Sequence, residues 1–277
     1  MNISVCIISL WRETLYKTLE TIFAQKINAN FEVIIILQWS IDKQRIEKLN
    51  SHNIPIHIYT FEHGLWFGFY RNKAVHYSSG NILAWIDDDE WTKDSQWLDK
   101  ITNNIRNGYC QVTTSGCDVP LGQWYLTDCI SLLGYPGGWA LWFRKVWQIE
   151  SNLSTKHLCS GNFAVKKSIL KDDTPFSEKT LYGWEDNALA VSLLHKNIPV
   201  FYVKEATVNH IARDLKNFLT WSKLRKKSLK NALYWNLYED KFIIKLSNFI
   251  MNLFTLDRFF FGKVYVLVLA FLTSFQK

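Results

Sequence analysis

The sequence predicts an α/β fold built on a mostly parallel sheet with flanking helices, followed by a helical C-terminal tail. Three observations predict it. Short apolar, β-branched runs recur through the first 90 residues, and strands of that kind are buried on both faces, as in parallel sheets. Stretches with apolar residues at helical spacing separate them, which is the alternation of an α/β sheet. From residue 211 the pattern is helical to the end.

Each element follows in order. Ile3–Ser9 is the first strand; Leu15, Leu19, Ile22 and Phe23 then mark one face of a helix. Phe31–Leu37 is the second strand, 41–49 a helix and 54–59 the third strand. Residues 70–79 read as a helix closed by Gly80 as a C-cap, and Ile82–Ile86 as the fourth strand. Residues 109–157, rich in Gly and Trp, read as irregular structure beside a cleft. A strand over 158–165, a helix over Glu185–His195 and short strands over 200–203 and 207–210 complete this part.

Composition narrows the function. The chain has 277 residues, 48% apolar and 21% charged, so it can bury a large core and is not disordered as a whole. Residues 1–211 hold 20 Lys+Arg against 21 Asp+Glu, whereas residues 212–277 hold 12 against 4. The near-neutral main part argues against a nucleic-acid partner, and the basic, aromatic tail favours a membrane surface. Residues 259–275 carry one charge, Lys263, and are short for a bilayer span, so an interfacial helix is expected. Five cysteines without a C-x-x-C indicate neither a disulfide framework nor a zinc finger, and point to a reducing compartment. The N-terminus has no basic leader region and reads as a first strand.

Chemistry concentrates after the fourth strand, at Asp87-Asp88-Asp89-Glu90. Four adjacent acids repel one another unless a positive group sits among them. In extended chain, Asp87 and Asp89 face one side and Asp88 the other. In parallel α/β sheets ligands bind at the carboxyl ends of strands, where this cluster falls. Hard carboxylates suit Mg²⁺ or Mn²⁺ bridged to phosphates.

The sequence here resembles family 2 glycosyltransferases of the GT-A, Rossmann-like fold. The resemblance is carried by Val5-Cys-Ile-Ile-Ser with Thr18-Leu19 and Gln25, and by Arg71-Asn72-Lys73-Ala74 before Gly80-Asn81-Ile82 and the D-x-D. Ser160-Gly161-Asn162-Phe163-Ala164 is similar to the G-N-x-A segment, Gly183-Trp184-Glu185-Asp186 to G-x-E-D, and Val208-Asn209-His210 to V-x-H. It implies a domain over 1–211, with a nucleotide-sugar half at 1–108 and an acceptor half at 109–211. Residues 212–277 then form the basic helical tail.

The resemblance implies an inverting hexosyltransferase-like enzyme. It moves a sugar from a nucleotide-diphosphate donor, a UDP-sugar favoured, to an acceptor hydroxyl on a lipid-linked or surface-polysaccharide glycan. A peptide acceptor is the alternative; a degenerate partner subunit and a nucleic-acid-binding protein are the non-enzyme alternatives. It implies Mn²⁺ or Mg²⁺ on Asp89, Asp87 and His210, and Asp186 as general base beside Glu185. Asp87, Arg71, Gln38, Trp184 and Asn162 would contact substrate; Trp91, Trp139 and Trp142 are weaker candidates for stacking on sugar. Leu37-Gln38-Trp39-Ser40 departs from the family's D-D-x-S, and no Q-x-x-R-W follows Asp186, which argues against a processive synthase. The expected location is cytoplasmic, peripheral at the inner face of a membrane.

Overall fold

A computed structural model describes residues 2–9, 13–38, 42–62, 67–119, 121–122, 124–134, 154–155, 158–170, 175–178, 185–212, 214–220 and 258–274. The chain divides into two compact units, one of Met1–Gly116 with Ile149–Asn209, the other of Cys117–Gln148 with His210–Lys277. The second unit thus groups the tail with residues 117–148, a segment that the sequence reading places in the acceptor half.

The first unit is built on an eight-stranded sheet. Its strands are β1 (Ile3–Ser9), β2 (Phe31–Leu37), β3 (Ile56–Thr60), β4 (Ile82–Ile86), β6 (Val112–Thr114), β8 (Ser154–Thr155), β9 (Asn162–Lys166) and β10 (Val200–Tyr202), in the order β3-β2-β1-β4-β9-β6-β10-β8. Strands β3, β2, β1, β4, β6 and β10 run one way; β9 and β8 run the other. Three further short strands are β5 (Glu90–Thr92), β7 (Cys117–Asp118) and β11 (Val208–His210).

All seven residues of β1 and all five of β4 are buried, which explains why they are apolar apart from Ser4 and Ser9. Each fully buried Ile, Val or Leu contributes about 1.5–3 kcal/mol, so these central strands anchor the unit. Helix α1 (Thr14–Phe23) buries Leu15, Leu19, Ile22 and Phe23, the face expected from their spacing. Helices α2 (Lys43–Leu49), α3 (Phe67–Tyr77), α4 (Trp97–Arg106) and α6 (Glu185–His195) belong to the same unit.

The connection decides where a ligand can bind. From β1 the chain goes through α1 to β2 and through α2 to β3, then returns through α3 to β4 on the other side of β1. The carboxyl ends of β1 and β4 therefore flank a topological switch point, where α/β sheets open a crevice.

Two local readings are corrected. Gly80 does not cap α3, which ends at Tyr77; a Cβ at Gly80 would lie 2.5 Å from the Ser4 amide, and Gly80 N–H donates to Ser4 Oγ at 2.9 Å. The glycine is there because β1 passes against it. Residues 109–157 are not irregular throughout: α5 (Tyr125–Gly134) lies within them, and α4 was not foreseen.

In the second unit α5 packs against α7 (Phe260–Ser274), with Cys129, Ile130, Phe218, Phe259 and Val266 as the core. A Cβ at Gly262 would overlap Cys129 Sγ, so this glycine sets how closely α7 lies on α5. Tyr125 stacks on Phe259 at 5.6 Å and its hydroxyl donates to the Arg258 carbonyl at 2.8 Å. Residues 215–220 are also helical. Among the described residues no helix is long and apolar enough to cross a membrane. All five cysteines are free thiols.

Candidate active site

The acids emerge from the carboxyl end of β4, at the switch point. Residues 87–90 form a turn closed at both ends. Glu90 N–H donates to the Asp87 carbonyl at 3.2 Å, and Asp87 N–H points to Glu90 Oε2 at 3.4 Å. Thr18 of α1 donates to the Glu90 carbonyl at 2.5 Å. Asp88 accepts from Ser9 Oγ at the end of β1 at 2.7 Å, so this acid ties the turn to the neighbouring strand.

Glu90 is buried, and burial with Asp87 nearby pushes its carboxyl well above the usual range. Any side chain at Gly161 would strike the Glu90 carboxyl. That steric demand explains the glycine of the Ser160-Gly161-Asn162 segment.

Arg71 joins this turn to the start of α6. Its Nε donates to Glu185 Oε1 at 2.9 Å, and its Nη2 lies 3.7 Å from Asp87 Oδ1. The guanidinium sits among Trp85, Phe163 and Phe176, with ring centroids 5.0–5.9 Å away. Burial alone would lower its affinity for a proton, but Glu185 and Asp87 more than offset this. Arg71, expected to contact substrate, is 2% exposed, and its charge faces two carboxylates. A buried guanidinium requires such partners.

The next residue, Asn72, staples α3 to residues 176–178. Its amide exchanges two hydrogen bonds with the Phe176 backbone and donates to Glu178 Oε1 at 2.8 Å. The Arg71-Asn72 pair thus holds together two acidic segments distant in sequence.

Glu185 and Asp186 open α6, where the helix dipole favours negative charge. Glu185 is buried; Oε1 is held by Arg71, while Oε2 has no hydrogen-bond donor among the described residues. Asp186 Oδ1 accepts from the Asn187 backbone and side chain at 2.8 and 3.0 Å. Burial, with Glu185 beside it, pushes the Asp186 carboxyl up to about 6, against the pull of Arg71. Burial pushes Asp87 up to about 7 against the pull of Arg71, with Asp89, Asp88 and Glu185 adding to the rise.

A divalent cation fits this chemistry. The donors are hard carboxylates at one turn, and a cation would offset the burial and the neighbouring acids that raise Asp87. Asp87 and Asp89 are the residues that could hold it, Asp88 being engaged with Ser9.

The other candidates fall out as follows. Asn162 is fully buried, and its amide accepts from Trp97 Nε1 and donates to the Gly116 and Ala206 carbonyls. These bonds tie β9 to α4 and to residues 116 and 206. Gln38 follows β2 at the carboxyl edge, its N–H bonded to the Ser9 carbonyl. His210 is buried in the second unit; its Nδ1 lies 2.6 Å from the Ile211 carbonyl, which can only accept, so Nε2 is the basic nitrogen of the neutral ring. Lys17 covers one face of Trp91 at 3.4 Å. Trp184, Trp139 and Trp142 lie outside the described residues.

Sequence reasoning missed Ser9 and Glu90, whose roles depend on contacts 79 residues away and within a reciprocal turn. An acid beside three others at a strand end was the available signal for Glu90.

Solved structures share this architecture. A mannosyltransferase from Pyrobaculum calidifontis, in complex with GDP-Man and Mn²⁺, superposes with a TM-score of 0.61 at 13% identity over 98% of this chain and 75% of that one. TarS of S. aureus, residues 1–349, gives 0.56 at 14% identity, covering 98% and 81%. GalNAc-T7, solved with UDP, GalNAc and Mn²⁺, gives 0.57 at 14% identity, covering 80% and 48%. These likenesses show the GT-A fold. No curated protein sequence matches. The model of glycosyl transferase family 2 matches residues 4–174, which take in β1, Arg71 and the Asp87–Asp89 turn. That match spans more than half of the chain, and the protein therefore belongs to glycosyl transferase family 2.

Proposed function

We propose that this glycosyltransferase moves a sugar from a nucleotide-diphosphate sugar, a UDP-sugar favoured, to an acceptor hydroxyl with inversion. The observation that carries this reading is the pairing of two acidic sites, Asp87–Asp89 and Glu185–Asp186, through the buried Arg71 at the switch point. One acidic site suits the donor and the other the acceptor.

Asp89 and Asp87 would hold Mn²⁺ or Mg²⁺. The cation supplies charge stabilisation to the departing diphosphate. Asp186 takes the proton of the attacking hydroxyl. Its raised pKa of about 6 leaves it ionised at pH 7 yet basic enough to accept that proton. Asn187 holds one carboxylate oxygen and so orients the base. Glu185, fixed by Arg71, offers its Oε2, which has no donor among the described residues, as an acceptor for a substrate or water hydroxyl. Gln38 sits where a nucleotide base could be hydrogen-bonded. Trp184 adjoins the acids in sequence and suits a sugar face.

The acceptor we favour is a lipid-linked or surface-polysaccharide glycan in cell-envelope assembly. The chain would act as a cytoplasmic enzyme peripheral to the inner face of the membrane. The basic tail supports that reading.

The test is donor binding and hydrolysis with UDP-, GDP- and dTDP-sugars, with and without Mn²⁺ or Mg²⁺. Metal-dependent use of one donor, lost in Asp89→Ala, is the expected result. Asp186→Ala should keep donor binding and lose turnover. No donor binding by the folded protein would overturn the reading.

A further inference from the structure

The second unit presents an apolar helix face to solvent. Along α7, Phe261, Tyr265, Val268 and Leu272 are all exposed, Phe261 at 81%. Their spacing of four, three and four residues places them in one stripe. Gly262, Lys263 and Val266 lie on the opposite side and are buried, Lys263 at 1%. The usual arrangement is inverted, since the single charge of the helix is inside and its largest apolar groups are outside. A helix apolar all round belongs in a core or against lipid.

The same unit also exposes a tryptophan. Trp124, immediately before α5, is 63% exposed, and α5 is the helix that packs on α7 within this unit. Trp and Tyr favour the boundary between lipid and water. The occupant is indicated by charge. Residues 212–277 hold 12 Lys+Arg against 4 Asp+Glu, with Lys223, Arg225, Lys226, Lys227 and Lys230 in one short run. An apolar stripe within a basic segment complements an anionic lipid surface, which offers both acyl chains and negative headgroups. The 15 residues of α7 suit lying along such a surface and fall short of crossing it.

We infer that the exposed stripe Phe261–Tyr265–Val268–Leu272 of α7 is the surface by which this protein docks in the plane of an anionic phospholipid bilayer. The inference deepens the membrane reading above and is independent of the transfer reaction. It also assigns α7 two faces with separate roles: Gly262, Lys263 and Val266 are buried in the unit, and the opposite stripe meets lipid.

The experiment is vesicle flotation of the full chain with phosphatidylcholine alone and with phosphatidylcholine mixed with phosphatidylglycerol. Wild type should float only with the mixed vesicles, and less so at high salt. Phe261→Ser with Val268→Ser should lose binding by about tenfold or more, since two inserted side chains are removed. Its melting and donor hydrolysis should match wild type. Should that pair fail to fold, Leu272→Ser at the exposed last turn must weaken binding by about threefold or more. Tyr265→Trp must keep or strengthen it. Absence of wild-type flotation, or variants that float as wild type does, would overturn the inference. So would a dimer in light scattering that the same substitutions dissolve, because the stripe would then join two copies. Loss of donor hydrolysis without loss of flotation would instead count against the transferase reading.

Discussion

The first unit buries carboxylates at both ends of its sheet, and the two ends treat them in opposite ways. At the amino end, Glu32 of β2 accepts from Ser4 Oγ at 2.6 Å, from Ser79 N–H and Oγ at 2.7 and 2.9 Å, and faces His57 Nε2 at 3.3 Å. Burial alone would raise its pKa, but these donors more than offset that and leave it lowered. At the carboxyl end, Asp87, Glu90 and Asp186 are raised, burial being the largest cause in each. A saturated carboxylate holds structure together, whereas one left short of donors is poised to take a proton, a cation or a substrate. The amino end is an architectural joint and the carboxyl end a reactive site, though both are built from the same residue type.

The largest expected effect breaks the comparison at the base. Asp186→Asn should lower kcat by about 10²–10⁴-fold with donor affinity retained, the range for removing a positioned base. Wild-type kcat should rise with pH through about 6, as Asp186 ionises, and an acid limb well away from that value would count against the assignment. Arg71→Met comes next. It leaves Glu185 and Asp87 facing each other without a counter-charge, and chemical denaturation should show a loss of about 3–5 kcal/mol. A loss under about 1 kcal/mol would mean that the Arg71 bridge does not hold the two acidic segments.

At the saturated end, Glu32→Gln should cost about 1–3 kcal/mol near neutral pH while leaving donor hydrolysis per folded molecule unchanged. Because the folded-state pKa of Glu32 is lowered, its stabilisation is present above the ordinary carboxylate value. It fades as pH falls through the folded value, so the gap between variant and wild type should close in acid. The smallest effect has the opposite sign. Asp186 is raised from 3.8 to about 6, so its favourable contribution is present below 3.8 and lost as pH rises through 6. Asp186→Asn should therefore be more stable than wild type at pH 7, by about 1–2 kcal/mol, in the same denaturation assay that shows Glu32→Gln to be weaker. Equal signs for the two variants would dissolve the distinction between the ends.

Much of this was readable from residues in line. The face Leu15, Leu19, Ile22 and Phe23, the strands Phe31–Leu37 and Ile82–Ile86, and the helix Glu185–His195 match the structure because periodicity and burial are local properties. The acid cluster was visible for the same reason. What could not be read in line are contacts that lie across the fold. The Asn162 amide bonds groups 44–65 residues away. Gly80 resembled a helix cap, yet it answers to Ser4. Residues 109–157 gave no clear period, and α5 within them is recognisable once α7 covers it.

The α/β class, the central strands and the acids at a strand end are readable along the chain, because burial and backbone geometry imprint periods of 2 and 3.6 residues on neighbours. It takes the fold to bring Arg71 to Glu185 across 114 residues and to make Gly161 the space for Glu90. The fold alone turned the apolar stripe of α7 outward while its lysine went in. Pairings of that kind carry no period along the chain; they exist only where folding brings a buried charge to its partner, and the energy that enforces them is the cost of leaving it alone.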